Sequence, residues 1–399
     1  MKKSTENSPC PVCGESKTIF VIERESLITM QNYVYRDREQ ARKARVGRFE
    51  LCACENCGFA FNAQFDPGLM SYDENYDNQV PSKLFLDYYE KIARFLYEKY
   101  ELEDKLVVEI GCGKGTFLKT LCSLYPRVSA LGIDPSYESP EFDESPNNPT
   151  FIQDVFKQEY LEQSPALVIC RHVLEHIYDP VSFLRSIYDT VKDYPETPFF
   201  IEVPDLEWIV ENNVFWDFCY EHCNYFTLES LQNTLRLAGF SPLEVDRSFG
   251  GQYLWVGGVI RSGEAVHKPG KAIFRQLTTY SLRENMLMKN AETVLRRSKA
   301  IGNIIVVWGM ATKGVVFCNL IDPKFDLIDY CIDINLNKQN CFVPNTAHLI
   351  RAPESLREID SSAAVTIVVM NPNYLSEIKD ECTRFGIDAI FIDAAGKAY

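Results

Sequence analysis

The sequence predicts an α/β protein with two open parallel sheets behind a small cysteine-rich module. Three observations carry this. Apolar runs of β type, LVVEI, SALGID, ALVIC and PFFIEV, alternate with helical patterns over residues 66–262. A second alternation, NIIVVWG, LIDYCID, AAVTIVVM and AIFID, occupies residues 301–399. Strands that alternate with helices pair in parallel, because each crossover helix returns the chain to start its next strand in the same direction. Residues 1–65 lack such runs and hold five of the 14 cysteines. The expected domains are therefore 1–65, 66–262 and 263–399. Lys271 to Ala300 has no Pro or Gly and spaces its apolar residues as a helix does, so it is expected to join the last two. The acidic, Pro-rich stretch Tyr137 to Pro149 is expected to be a surface loop.

Composition narrows the function classes. The chain has 399 residues, 46% hydrophobic and 24% charged, which suits a globular protein of two or three domains. No apolar run reaches the roughly 18 residues of a spanning helix. MKKSTENSPC has no apolar stretch after its lysines, so no export signal and a reduced, cytoplasmic setting are expected. A net charge of −15 argues against nucleic acid as the partner. The expected partner is a small molecule; oligomeric state is not legible.

Cys10 and Cys13 lie in CPVCG, and Cys54 and Cys57 lie in CENCG. Two C-x2-C knuckles, each followed by glycine, can bring four thiolates to the corners of a tetrahedron, the arrangement of structural zinc. Four protein ligands leave no open position, so this metal would hold the fold. Cys52 is off the spacing and reads as a buried thiol.

KLVVEIGCGKGTFL reads as strand, tight turn and helix start. Gly111, Gly113 and Gly115 follow Glu109 in the order E-x-G-x-G-x-G, which lets a ligand approach the backbone. Dinucleotide folds favour G-x-G-x-x-G and seat a pyrophosphate there. A carboxylate this close would repel a pyrophosphate. It would suit a ligand with a cationic amino-acid part and no phosphate, such as S-adenosylmethionine. Asp134 ends the next strand and can accept ribose hydroxyls. Asp154, in FIQDVF, is placed to reach an adenine amino group. Arg171 ends the strand ALVICR and is assigned to the cofactor side.

This order resembles class I S-adenosylmethionine-dependent methyltransferases. With two knuckles ahead and a glycine-turn α/β domain behind, the whole chain resembles the sugar C-methyltransferases that act on nucleotide-linked deoxysugars. The resemblance extends through the C-terminal VVWGMATKGVV and DINLNKQNCFVP. Met310 interrupts a turn that is more compact in the family, and Asn345 replaces the family's glycine after the proline. The resemblance implies a zinc-binding N-terminal domain, a class I methyltransferase core and a Rossmann-like C-terminal domain that holds the nucleotide. Lys313, Asp333 and Lys338 would serve that last task, the lysines as phosphate partners.

FCYEHCNYFT follows the fifth strand of the core. A histidine beside a carboxylate can be fixed in one tautomer and raised in basicity, which points to His222 with Glu221. By resemblance, His222 removes a proton from a sugar carbon, Glu221 binds or orients, and His176 lies near the substrate ketone. Tyr76 falls where the family has a substrate-facing tyrosine, with Tyr72 as its competitor. Tyr220 and Tyr225 are expected to line the sugar pocket. The family tyrosine two residues before the glutamate is Cys219 here, a poor donor to a forming enolate. The expected activity is C-methylation of a nucleotide-linked keto-deoxysugar. O- or N-methylation of a related molecule, and a non-catalytic module that binds S-adenosylmethionine, stand as alternatives.

Overall fold

The computed structural model describes residues 8–73, 75–138, 149–194, 196–261, 273–360 and 362–399. Strands β1 (Thr18–Ile28) and β2 (Val46–Cys54) pair antiparallel around the short helix α1 (Arg38–Arg42), and β3 (Ala60–Asn62) follows on β2. The second knuckle forms the β2–β3 turn. There Gly58 adopts φ 73°, and its amide reaches the Cys54 carbonyl at 3.0 Å. The fourth strand of this sheet comes from far along the chain: Asn224–Tyr225 pairs with β3. The N-terminal sheet thus ends on the segment that carries Glu221 and His222.

The middle of the chain gives α2 (Lys83–Tyr100), β4 (Leu106–Ile110), α3 (Thr116–Leu124), β5 (Ser129–Ile133), β6 (Thr150–Ile152), β7 (Leu167–Arg171), α4 (Pro180–Val191), β8 (Thr197–Pro204) and α5 (Leu206–Glu211). After β9 (Asn224–Tyr225) come α6 (Leu228–Leu237), β10 (Phe240–Ser248) and β11 (Tyr253–Ile260). Helix starts follow local chemistry. The Asp179 carboxylate caps α4 ahead of Pro180, and Thr227 with Ser230 forms a capping box on α6. The sheet order is β10-β11-β8-β7-β4-β5-β6, parallel from β8 to β6 and closed by an antiparallel hairpin. Strand order reverses between β7 and β4. Open sheets bind ligands at such a switch point, beyond the C-terminal strand ends.

The third sheet follows α7 (Phe274–Ala300) and comprises β12 (Ile304–Trp308), β13 (Tyr330–Ile332), β14 (Ile350–Arg351), β15 (Val365–Val369) and β16 (Ala389–Asp393), with α8 (Thr312–Ile321) and α9 (Leu375–Phe385) among them. It is parallel throughout, in the order β14-β13-β12-β15-β16. Residues 271–272, expected to open the joining helix, and 139–148 of the expected acidic loop lie outside the described residues. Phe49, Leu51, Phe215, Phe218, Leu277 and Phe317 share one core, so β2, the segment before β9, α7 and α8 pack as a unit. Arg24 of β1 crosses it, paired with Glu284 of α7 at 2.9 Å. No helix among the described residues is long and apolar enough to cross a membrane.

Candidate active site

The turn after β4 is built by its glycines. A Cβ on Gly111 would meet Val173 at 2.3 Å, whereas the space beside Gly113 is open. Both residues have positive φ, 73° and 54°, which glycine alone adopts at little cost. Gly115, at φ 74°, is the N-cap of α3, with Phe151 packed against it. Asp134 fixes the turn from the next strand: its Oδ2 accepts the Gly113 amide at 2.8 Å, and its Oδ1 accepts the Ser136 amide and hydroxyl, both at 2.7 Å.

Glu109 lies beneath this turn, 4% exposed, and its Oε2 has no hydrogen-bond partner among the described residues. Burial, opposed by Arg171 and aided by Asp134, raises its carboxyl to about 8. An orphaned buried carboxyl beside open backbone fits a ligand that brings a cationic donor, as the amino-acid part of S-adenosylmethionine does.

A cavity of about 760 Å³ opens where the three sheets meet. His172, Glu175, His176, Glu221 and His222 line it from the core, and Lys313, Asp333 and Lys338 line it from the C-terminal domain. The rings of His176 and His222 stand nearly perpendicular, 4.9 Å apart. His176 Nδ1 lies 2.9 Å from the Glu221 carbonyl oxygen. A carbonyl only accepts, so Nδ1 carries the proton and Nε2 keeps its lone pair.

The Glu221 carboxylate does not turn toward His222. One oxygen accepts the backbone amides of Gln31 and Asn32, and the other accepts the Tyr76 hydroxyl at 2.8 Å. The expectation that Glu221 raises the basicity of His222 is therefore overturned. Burial foremost, then the neighbouring His176 ring, pulls His222 down to about 3, against the pull of Glu175. His222 is neutral with a free lone pair.

Residues 76–245, which carry this turn and this histidine cluster, match the methyltransferase-domain family, and residues 268–389 match the C-methyltransferase C-terminal domain. The chain is an S-adenosylmethionine-dependent methyltransferase. Among curated proteins the methyltransferase is similar to the C-methyltransferase NovU of Streptomyces niveus, 23% identical over 365 residues and 86% of each chain. Among solved structures it is similar to the magnesium protoporphyrin IX methyltransferase of Synechocystis with bound SAH, at 17% identity and TM-score 0.35, over 46% of this chain and 89% of that one. It is also similar to the 1,6-didemethyltoxoflavin-N1-methyltransferase of Burkholderia thailandensis, at 17% identity and TM-score 0.35, over 45% of this chain and 81% of that one.

The remaining expected residues of the methyltransferase divide into two groups. Tyr76 lines the cavity, while Tyr72 stands behind it, edge-on to Tyr76 and 3.4 Å from His176 Nδ1. Lys313 holds Asp217 at 2.5 Å, and the buried Lys338 donates to Asn32 Oδ1 at 2.8 Å. Asp333 accepts the Met310 amide at 2.7 Å, repeating in the C-terminal sheet what Asp134 does for Gly113. Four expectations are corrected. The Arg171 guanidinium is committed to Glu202, at 3.0 and 3.2 Å, between the rings of Tyr89 and Phe117. Asp154 is committed to its own turn through Lys157, Tyr160 and the Val155 amide. Tyr220 and Tyr225 do not reach the cavity. The Tyr220 hydroxyl accepts the Asp66 amide, and the Tyr225 hydroxyl bonds both backbone groups of Cys219. Cys219 itself is buried in the shared core.

Sequence reading missed Gln31 and Asn32, whose backbone amides carry no sequence pattern. It also missed His172, Glu175 and Glu202. Glu202 was the most legible of these, a lone acid in the apolar strand PFFIEV. His172 has φ 54°, a conformation that side chains other than glycine rarely adopt. Its ring lies 3.0 Å from Glu202 and 3.6 Å from Glu175.

The four knuckle sulfurs lie within 4.8 Å of one another, with Cys10 and Cys57 3.6 Å apart and Cys13 and Cys54 3.5 Å apart. Two thiolates on one tetrahedral metal, each about 2.3 Å from it, would be about 3.8 Å apart. The crowded thiols shift one another, Cys54 down and Cys10 and Cys57 up, so a cation is what would let all four ionise. The group can hold a metal ion with no position left for substrate.

Proposed function

We propose that the methyltransferase alkylates carbon, next to the ketone of a nucleotide-linked keto-deoxysugar, and that zinc occupies the four-cysteine group. The observation that carries the reading is a neutral His222, without a side-chain hydrogen bond among the described residues, on the wall of a cavity shared by the cofactor-side core and the C-terminal domain. The match of residues 268–389 to a C-methyltransferase C-terminal domain supports carbon as the acceptor. The bound cosubstrate supplies an electrophilic methyl group on a sulfonium.

The chain's own residues do the rest. Glu109 and the Gly113 turn hold the amino-acid end of the cosubstrate, and Asp134 its ribose. His222 takes the proton from the carbon beside the ketone. Tyr76, through its bond to Glu221, and His176, on the Glu221 carbonyl, shape the cavity wall beside His222. An imidazole held at about 3 is a poor base in the empty site. Lys313 is one of the charges that depress it, and a substrate phosphate at Lys313 would remove that repulsion as it binds. Lys313 and Lys338 clamp the remote nucleotide, which helps bring donor and acceptor within about 3–3.5 Å. Cys219 faces the core, so its weak thiol donor does not enter and gives no support to methylation of oxygen or nitrogen.

The test is hydrogen exchange. In heavy water, with S-adenosylhomocysteine and a keto-deoxysugar nucleotide, the unaltered chain exchanges the proton beside the ketone. His222→Ala is expected to lower that exchange about 10²–10⁴-fold while cosubstrate binding persists. Methylated product on oxygen or nitrogen, with no exchange, would remove the carbon reading.

A further inference from the structure

Three groups on the cavity wall keep unsaturated donor atoms. Glu175 is 1% exposed, and its Oε2 has no hydrogen-bond partner among the described residues. His176 has Nδ1 on the Glu221 carbonyl, which leaves Nε2 with a free lone pair. Neither ring nitrogen of His222 has a hydrogen bond among the described residues. One donor atom from each of the three lies within 4.8 Å of the other two.

We infer that Glu175, His176 and His222 form a site for a divalent transition-metal cation, and that this cation competes with the acceptor's proton for the site. Two imidazoles and one carboxylate on one side of an ion make a facial set, and the remaining positions open toward the cavity. A metal-bound histidine usually donates its other N–H to a carbonyl or carboxylate, as His176 does to Glu221. A dication would also partner Glu175 Oε2, which is buried and without a hydrogen bond among the described residues, while Oε1 faces His172 at 3.6 Å. The nitrogen-rich set favours zinc, cobalt, nickel or copper over magnesium or calcium, which bind through oxygen. The site is distinct from the four cysteines, because its donors contain no sulfur and it is open to the cavity. The binding half of the inference stands on these three side chains alone. The competition half rests on His222 as the base, since one lone pair cannot hold a metal and a proton together.

The experiment uses the full chain with its four-cysteine group already zinc-loaded. Cobalt(II) is added and followed by visible absorption and metal analysis. One further equivalent is expected, with the ligand-field bands of a nitrogen and oxygen site and no sulfur charge-transfer band. Zinc should displace it. Methyl transfer and hydrogen exchange should fall together as zinc fills the site, and a chelator too weak to strip the cysteines should restore both. Glu175→Gln and His176→Gln, checked for folding by circular dichroism, should each weaken cobalt binding by about tenfold or more. No further equivalent on the unaltered chain would overturn the site. Cobalt that binds and raises turnover would overturn the competition and the base role of His222, while the site itself would stand.

Discussion

The Tyr76 phenol donates to the Glu221 carboxylate at 2.8 Å, across 145 residues of chain. With the amides of Gln31 and Asn32 on its other oxygen, the carboxylate has three donors that hold it in place beside the histidine pair. Tyr76→Phe keeps the ring and removes one charge-assisted hydrogen bond, worth about 1.5–3 kcal/mol. The expected result is a fall in kcat of roughly 10–100-fold, with cosubstrate affinity unchanged. Steady-state kinetics beside calorimetry of cosubstrate binding check this. An equal loss in both would place Tyr76 in the fold and not at the chemistry.

Glu109 predicts a proton balance. Its ordinary value of 4.5 is raised to about 8, so the carboxyl is mostly protonated at pH 7. A cationic ligand favours the ionised form, so binding releases a proton. The release is expected near neutral pH and disappears once the pH is well above 8, where the group is already ionised. Calorimetry in two buffers of different ionisation enthalpy measures it directly. Glu109→Gln should bind more weakly and release nothing; release that survives the change would assign the proton to another group.

Loss of the metal proposed at Cys10, Cys13, Cys54 and Cys57 should be felt beyond the knuckles. β1 and β2 belong to the core they share with α7 and α8. Gln31 and Asn32, just past β1, hold Glu221. Cys54→Ser is expected to lower the melting temperature and kcat together, since structural metal binding is itself folding free energy. Metal analysis with thermal melts decides it. A variant that loses metal but melts like the parent contradicts this coupling.

Stability should have two pH limbs, both from one buried cluster. Glu202 is lowered from 4.5 to about 2: burial opposes this, and Arg171, His172 and Tyr88 prevail. Its contribution is complete above 4.5 and is lost as the pH falls toward 2. His172 is raised from 6.5 to about 9, because hydrogen bonds and charges from Glu175 and Glu202 outweigh burial. Its contribution is complete below 6.5 and is lost as the pH rises through 9. Thermal melts should therefore decline on both sides, and His172→Gln should flatten the alkaline side. An unchanged alkaline decline would mean that other groups cause it.

Local pattern accounts for what was legible. LVVEI became β4 and SALGID β5 because apolar β-type runs bury on both sheet faces. The glycines after Glu109 fixed the turn, because positive φ is a local matter. The two knuckles converged as their spacing implied. The less legible residues are those whose neighbours are remote in sequence. Tyr220 and Tyr225 looked like pocket rings, yet their hydroxyls close on backbone at Asp66 and Cys219.

The sequence by itself determined the strand–turn–helix units, the acid at each glycine turn and the pair of cysteine knuckles, since each depends on residues a few positions apart. Only the tertiary structure decided which carboxylate meets which histidine. Glu221 passes over its neighbour His222 for the Gln31 amide, 190 residues away, and Glu175 takes its place beside His176 and His222. The physical reason is direction. Adjacent side chains leave the backbone on different sides, and a buried carboxylate goes to whichever donors the packed sheets bring to it.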